Sequence, residues 1–122
     1  MTLQRHELGI VGEDLAVDVL STRGYAILER RYRTGHGEID IIALDGETLV
    51  FVEVRAKATE ECGTAAESVT RDKQRRVVRM ACAYLARHDL VDPPCRFDVV
   101  AIDDALGEAP VVTVYRGAFD AF

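Results

Sequence analysis

The sequence predicts an α/β domain in which a largely mixed β-sheet packs against at least one helix, in the order helix, three strands, helix, two strands. Apolar residues recur at helical spacing in two places, Leu15-Ala16-Val19-Leu20 and Val77-Ala81-Tyr84. Two runs rich in Ile and Val flank the dipeptide Asp45-Gly46, and two more Val-rich runs lie near the C-terminus. With 122 residues, 48% of them apolar, the chain has the size of one domain with its own core. It is read as a single domain over 1–122, with residues 1–8 as a flexible tail.

The first helix is expected from Gly9 to Arg23, with Gly24 as its stop. Tyr25 to Glu29 reads as a short strand. Residues 38–44 and 49–55 form the second and third strands, joined by a turn at Asp45-Gly46. Thr70 is placed to cap a helix that runs to about His88. Residues 97–103 and 111–117 supply the last two strands. No internal repeat or low-complexity linker interrupts this order.

The opening MTLQRHELG lacks the apolar run of a secretory signal, and no stretch approaches the roughly 20 apolar residues of a membrane span. Cys62, Cys82 and Cys95 are odd in number and lack metal-ligand spacing, which suits thiols in a reducing cytoplasm. The formal net charge of -6 argues against a protein that merely coats nucleic acid, yet the charge is unevenly spread. Arg23, Arg30, Arg31 and Arg33 precede residue 37. Arg71, Lys73, Arg75, Arg76, Arg79 and Arg87 form a second basic segment, opposed only by Asp72 between residues 71 and 87. A solvated charged face and a polymer-binding face both fit this distribution.

Between the basic segments lies GEIDIIALDGETLVFVEVRAK (37–57), which sets Glu38, Asp40 and Glu53 into two of the most hydrophobic stretches of the chain. A two-residue turn at Asp45-Gly46 would put Glu38 opposite Glu53. A four-residue loop, Asp45 to Thr48, would put Asp40 there instead. Either register places Glu38, Asp40, Glu53, Arg55 and Lys57 on one face, and leaves Ile39, Ile41, Val50, Val52 and Val54 as core on the other. Like charges facing across a sheet repel, and a hard divalent cation with oxygen ligands removes that repulsion. A salt-bridged cluster with Arg55 and Lys57 is the alternative. No GxGxxG opening a helix and no GxxxxGK[ST] run occurs, so nucleotide-binding loops are excluded.

Asp40 followed thirteen residues later by Glu53-Val54-Arg55 resembles the metal site of the PD-(D/E)xK nuclease superfamily, archaeal Holliday-junction resolvases above all. Gly12-Glu13, GEIDIIA (37–43), LVFVEVRAK (49–57), TRDKQRR (70–76) and RFDVVAI (96–102) are together similar to the bacterial YraN family, also called UPF0102, over nearly the whole chain. The resemblance implies a restriction-endonuclease-like core, a mixed central sheet flanked by helices. It implies Mg²⁺ or Mn²⁺ as cofactor, held by Glu13, Asp40 and Glu53, with Glu38 and Gln74 in support. It places Arg55, Lys57 and Lys73 in the catalytic group. Arg55 departs from the family pattern, in which a lysine follows the Glu-Val pair and an arginine stands two residues on. Arginine keeps its charge at any ordinary pH and is a poor proton acceptor. Lys57 lies roughly 6.6 Å farther along the strand.

The helical phase turns Lys73 towards the sheet and Arg75 and Arg79 outwards. Arg31, Arg33, His36, Arg71, Arg75, Arg76 and Arg79 are the candidate nucleic-acid contacts. Arg96 and Asp98 are expected to form a local ion pair. Three functional classes follow. The first is a metal-dependent endonuclease acting on DNA, branched or nicked duplex included. The second is a nucleic-acid-binding module without catalysis, and the third a protein-interaction domain. RNA as the polymer and a homodimer as the assembly remain open.

Overall fold

The computed structural model describes residues 3–58 and 64–121; Cys62 lies outside them. The order is α1 (Leu3–Thr22), β1 (Ala26–Thr34), β2 (Gly37–Asp45), β3 (Thr48–Ala56), a 3₁₀ turn (Ala66–Ser68), α2 (Arg71–Arg87), β4 (Cys95–Asp103) and β5 (Val111–Phe119). These strands form one sheet in chain order. Within it β3 and β4 run parallel, and the segment carrying α2 provides the long crossover that such a pair needs. The expected α-β-β-β-α-β-β order is therefore the observed one. No helix among the described residues is long and apolar enough to cross a membrane.

Two boundaries differ from expectation. The first helix begins at Leu3, so residues 3–8 continue it, and β1 runs on from Glu29 to Thr34. Its arginine-rich second half offers no apolar alternation to read, because it pairs along the edge of β2. The helix ends match their sequence signals. Thr70 Oγ1 accepts the Lys73 N–H as N-cap of α2. At the end of α1, Tyr25 N–H reaches Leu20 O and Gly24 N–H reaches Ser21 O, a Schellman closure with Gly24 at φ +93°.

Both faces of the sheet are core, which corrects the one-sided reading. Phe51, Leu49 and Ile42 pack with Val77, Met80, Ala81 and Tyr84 of α2. Val50, Val52, Ile41 and Ala43 pack with Ala16 and Leu20 of α1 on the other side. A strand buried on both sides reads as a continuous apolar run rather than an alternation. Ile39 also leaves its assigned face: it joins Tyr32 and the α2-side cluster, while Ile41 joins the α1 side. Helix α1 comes so close to β3 that a Cβ on Gly12 would lie 2.8 Å from Ala56 Cβ.

The β2–β3 hairpin takes the second of the two registers. Leu44 pairs with Leu49 and Asp45 with Thr48, so the turn is Gly46-Glu47, with Gly46 at φ +61°. Beside this turn, the expected Arg96–Asp98 ion pair is embedded in a larger network. Asp98 is fully buried and accepts from Arg96 Nε at 2.8 Å, Tyr25 Oη at 2.8 Å and Gly117 N–H at 2.9 Å. Arg96 also reaches Asp45 at 2.9 Å. Removing Asp98 leaves a half-buried guanidinium short of a partner. Asp98→Ala should therefore lower unfolding stability by about 3–5 kcal/mol, read as a fall in urea midpoint.

Candidate functional site

The opposite end of the β2–β3 pair carries the acids. The ladder runs to Ile41–Val52, and beyond it the side chain of Asp40 replaces the main chain: Val54 N–H donates to Asp40 Oδ2 at 2.8 Å. Continuing the register sets Asp40 across from Glu53, and the two carboxyls share a hydrogen bond. Glu53 opens into a cleft of about 220 Å³ lined by Gly37, Glu38, Glu53, Arg55, Lys73, Arg76, Val77 and Met80. Helix α2 supplies one wall through residues 73, 76, 77 and 80, spaced as one helical face. Gly37, at φ +142°, sits at the rim, where a Cβ would come within 3.2 Å of Met80 Sδ.

This pair cannot carry two full charges easily. Burial, then the charge and hydrogen bond of Asp40, push Glu53 up to about 8, against the opposing pull of Arg55 and Lys73. Burial also raises Asp40, and the charges of Glu38 and Glu13 add to it. The hydrogen bonds from Glu53 and Val54 hold it back. Near neutrality Glu53 therefore keeps its proton. Lys73 moves the other way: burial and then Arg55 lower it, with Glu53 pulling against them.

The structure brings most of the expected catalytic residues together, but not all. Arg55 Nε donates to Ser68 Oγ at 3.0 Å, and its Nη1 lies 3.9 Å from Glu53 Oε1. Lys57 is not among the lining residues of the cleft; its charge acts on Glu67 in the 3₁₀ turn. Arg55 reaches Ser68 of the same 3₁₀ turn, so both cations lie by that turn, with Lys57 farther along the chain from the acids. Gln74 Nε2 reaches Val69 O at 3.4 Å and steadies the entry to α2. Glu38 lines the cleft and is held by Arg33 at 2.8 Å. Glu13 is buried near Asp40, close enough for its charge to be felt there, yet both of its oxygens are taken by arginines.

Among the nucleic-acid candidates, Arg76 lines the cleft, whereas Arg71, Arg75 and Arg79 are exposed along α2 at steps of about 6 Å. Arg75 also lies 3.6 Å from Asp72. Arg33 and His36 are exposed at the β1–β2 hairpin, next to the rim at Gly37. Arg31 faces Glu13 rather than open solvent alone. Ser68, Val77 and Met80 join the site without having been expected in it. The helical phase that turns Lys73 inwards also points to Val77 and Met80, but nothing in the sequence marks Ser68.

Among the described residues no three His, Cys, Asp or Glu side chains converge as a ready metal cage. The donor chemistry of Asp40 and Glu53 nonetheless fits a hard divalent cation. They are two adjacent, desolvated carboxyls whose repulsion such an ion relieves, and Mg²⁺ commonly binds through one or two carboxylates and keeps its waters.

Comparison with known proteins agrees with this arrangement of motifs. A family model described as uncharacterised protein family UPF0102 matches residues 12–102. A UPF0102 protein of Geotalea uraniireducens is 47% identical over 113 residues, which is 93% of this chain and 89% of the relative. One from Moorella thermoacetica is 45% identical over 120 residues, 98% of this chain and 100% of the relative.

The retained proton has a consequence for stability. The folded state holds the Glu53 proton more tightly than the unfolded chain does, from the ordinary 4.5 up to about 8. Its stabilising contribution is full below pH 4.5 and is lost as pH rises through about 8. In the absence of divalent cations, the melting temperature should fall between about pH 5 and pH 8.5. Glu53→Gln, which keeps a hydrogen-bond donor without the charge, should flatten that fall and melt higher than wild type at about pH 8.5.

Proposed function

This chain belongs to the uncharacterised protein family UPF0102, and from its cleft we propose that it is a divalent-cation-dependent endonuclease of DNA, branched or nicked duplex included. The observation that supports this most is the Asp40–Glu53 pair, half-buried at the frayed end of two strands beside Arg55 and Lys73. A structural ion-pair cluster would neutralise its acids. This pair instead keeps a proton while cations stand within the same cleft.

Asp40 and Glu53 would hold Mg²⁺ or Mn²⁺, which when bound supplies a polarised water and offsets charge developing on the phosphate. The chain's own residues do the remaining work. Arg55, braced by Ser68, presents a fixed guanidinium to a phosphate oxygen. Arg76 adds a second cation at the mouth. Lys73, its proton loosened by burial and by Arg55, can release and recover a proton at Nζ, which arginine at position 55 cannot. Lys73 is therefore assigned the part that the strand lysine plays in the resembling nucleases. Val77 and Met80 form an apolar floor that limits water around the reacting group. Arg71, Arg75 and Arg79 lead the polymer backbone along α2. The reducing cytoplasm is the setting in which such a substrate and free thiols coexist.

A second reading, nucleic-acid binding without catalysis, is favoured by one feature: the strand position for lysine is Arg55, and it is already engaged by Ser68 and Glu53. Single-turnover cleavage of nicked, flapped and four-way DNA with Mg²⁺ or Mn²⁺ separates the two. Lys73→Met should slow cleavage by about 10²-fold or more with little change in affinity. Lys57→Met should leave the rate within about twofold. Tight binding without cleavage by folded wild type would select the second reading.

The backbone contacts carry their own expectation. DNA affinity should fall steeply with salt. Arg75→Glu with Arg79→Glu should weaken binding to all sequences alike and flatten the log–log salt slope by about 0.9 for each duplex phosphate no longer neutralised. A slope unchanged in the double variant would place the polymer elsewhere.

A further inference from the structure

Glu13 stands apart from the other acids of the site. Its side chain is 9% exposed, and each carboxylate oxygen is taken by a different arginine. Arg30 Nε donates to Oε1 at 2.8 Å and Arg31 Nε to Oε2 at 2.8 Å, while Arg30 Nη2 reaches Asp14 at 2.8 Å. Consecutive strand residues point to opposite faces, so two adjacent arginines cannot both reach one carboxylate from a regular strand. Strand β1 departs from regularity at that place: Arg31 has φ +52°, a left-handed conformation unfavourable for a residue with a Cβ. Arg31 falls opposite Asp40, between the pairs Arg30–Ile41 and Tyr32–Ile39. The charge of Glu13 acts on Asp40, and that of Glu38 on Arg31.

We propose that Arg30 and Arg31 are positioning residues that hold Glu13 off the cation site, leaving it a third oxygen ligand only when the arginines release it. This rests on the reading of Asp40 and Glu53 as the site of a divalent cation. Two guanidinium groups fix the orientation of both oxygens and offset the charge that a metal ion would use, so clamp and metal compete for this carboxylate. A nucleic-acid phosphate is the competitor suited to draw the guanidinium groups away, since arginine forms two parallel hydrogen bonds with it. Metal and polymer would then each favour the other through one carboxylate, as any coupled pair of ligands must. The kink at Arg31 is what makes the double clamp geometrically attainable.

The test is calorimetric titration of the whole chain with Mn²⁺, without nucleic acid. Asn tolerates a left-handed backbone, so Arg31→Asn removes the clamp with least disturbance; Arg30→Gln opens the other arm. Arg31→Asn should bind Mn²⁺ about tenfold more tightly than wild type, the worth of one hydrogen bond to a charged group. Arg30→Gln should shift in the same direction and carries the test should Arg31→Asn fail to melt as a folded protein. Loss of a nearby positive charge alone would also favour a cation, so each change is repeated with Glu13→Gln. The gain should then vanish. A gain that persists with Glu13→Gln, or an unchanged Kd in the arginine variants, would overturn the clamp. If wild-type binding is at the same time lost in Asp40→Asn, the cation site itself stands. No binding by wild type or by either arginine variant would overturn the clamp and the cation site together.

Discussion

The hydrogen bond from Val54 N–H to Asp40 is the constraint on which the site depends. A main-chain N–H inside a sheet needs an acceptor, and beyond Ile41–Val52 the neighbouring strand no longer provides one. The Asp40 carboxylate fills that role, so the side chain is fixed by the backbone requirement rather than by a partner side chain. Its position then forces Glu53 alongside, because the register permits nothing else directly across. Glu53 must either lose its proton at a cost or keep it, and burial makes it keep it. Helix α2, docked on the same face by Val77, Met80 and Tyr84, closes the cleft and brings Lys73 and Arg76 to it. Fold and chemistry are thus joined through one amide.

The cations around this centre are divided by type. The guanidinium groups of Arg30, Arg31, Arg33 and Arg55 all have hydrogen-bond acceptors within the protein, each through its Nε. Their charge is fixed and their geometry is set by planar, directed donors. Lys73 is instead a cation whose proton affinity the cleft lowers. The fixed positive charge thus stands where β3 meets the cleft, and the cation of lowered proton affinity stands on α2.

Much of this is legible in the sequence, and the failures have physical causes. Periodicity locates the strands and both helices, because the apolar runs are long and their caps are conventional: Thr70 before α2, Gly24 after α1. The acids of the hairpin are legible as a cluster because they break apolar runs. Register stays between two choices, a two-residue turn at Asp45-Gly46 and a four-residue loop from Asp45 to Thr48; the pairing of Leu44 with Leu49 is that of the second. The strict two-face alternation fails at Ile39, which packs on the α2 side while Ile41 packs on the α1 side. The clamp on Glu13 has no trace in the sequence. It depends on a left-handed arginine inside a strand, for which no residue pattern speaks.

The two ends of the sheet answer the same electrostatic problem in opposite ways, and the contrast separates support from chemistry. Asp98 is fully buried, and burial alone would raise its pKa, yet Arg96, Gly117 N–H and Tyr25 hold it below the ordinary aspartate value. Every lone pair that matters has a donor, so the carboxylate is a finished part of the core and has no reason to change state. Asp40 and Glu53 have the Val54 N–H, each other, and the Arg55 guanidinium 3.9 Å from Glu53, too long for a hydrogen bond. Burial prevails there and a proton stays. A protein that can satisfy one carboxylate with two guanidinium nitrogens, a phenol and an amide could satisfy another by the same means. At this pair, in an open cleft, a proton stands in for the directed donors that Asp98 has.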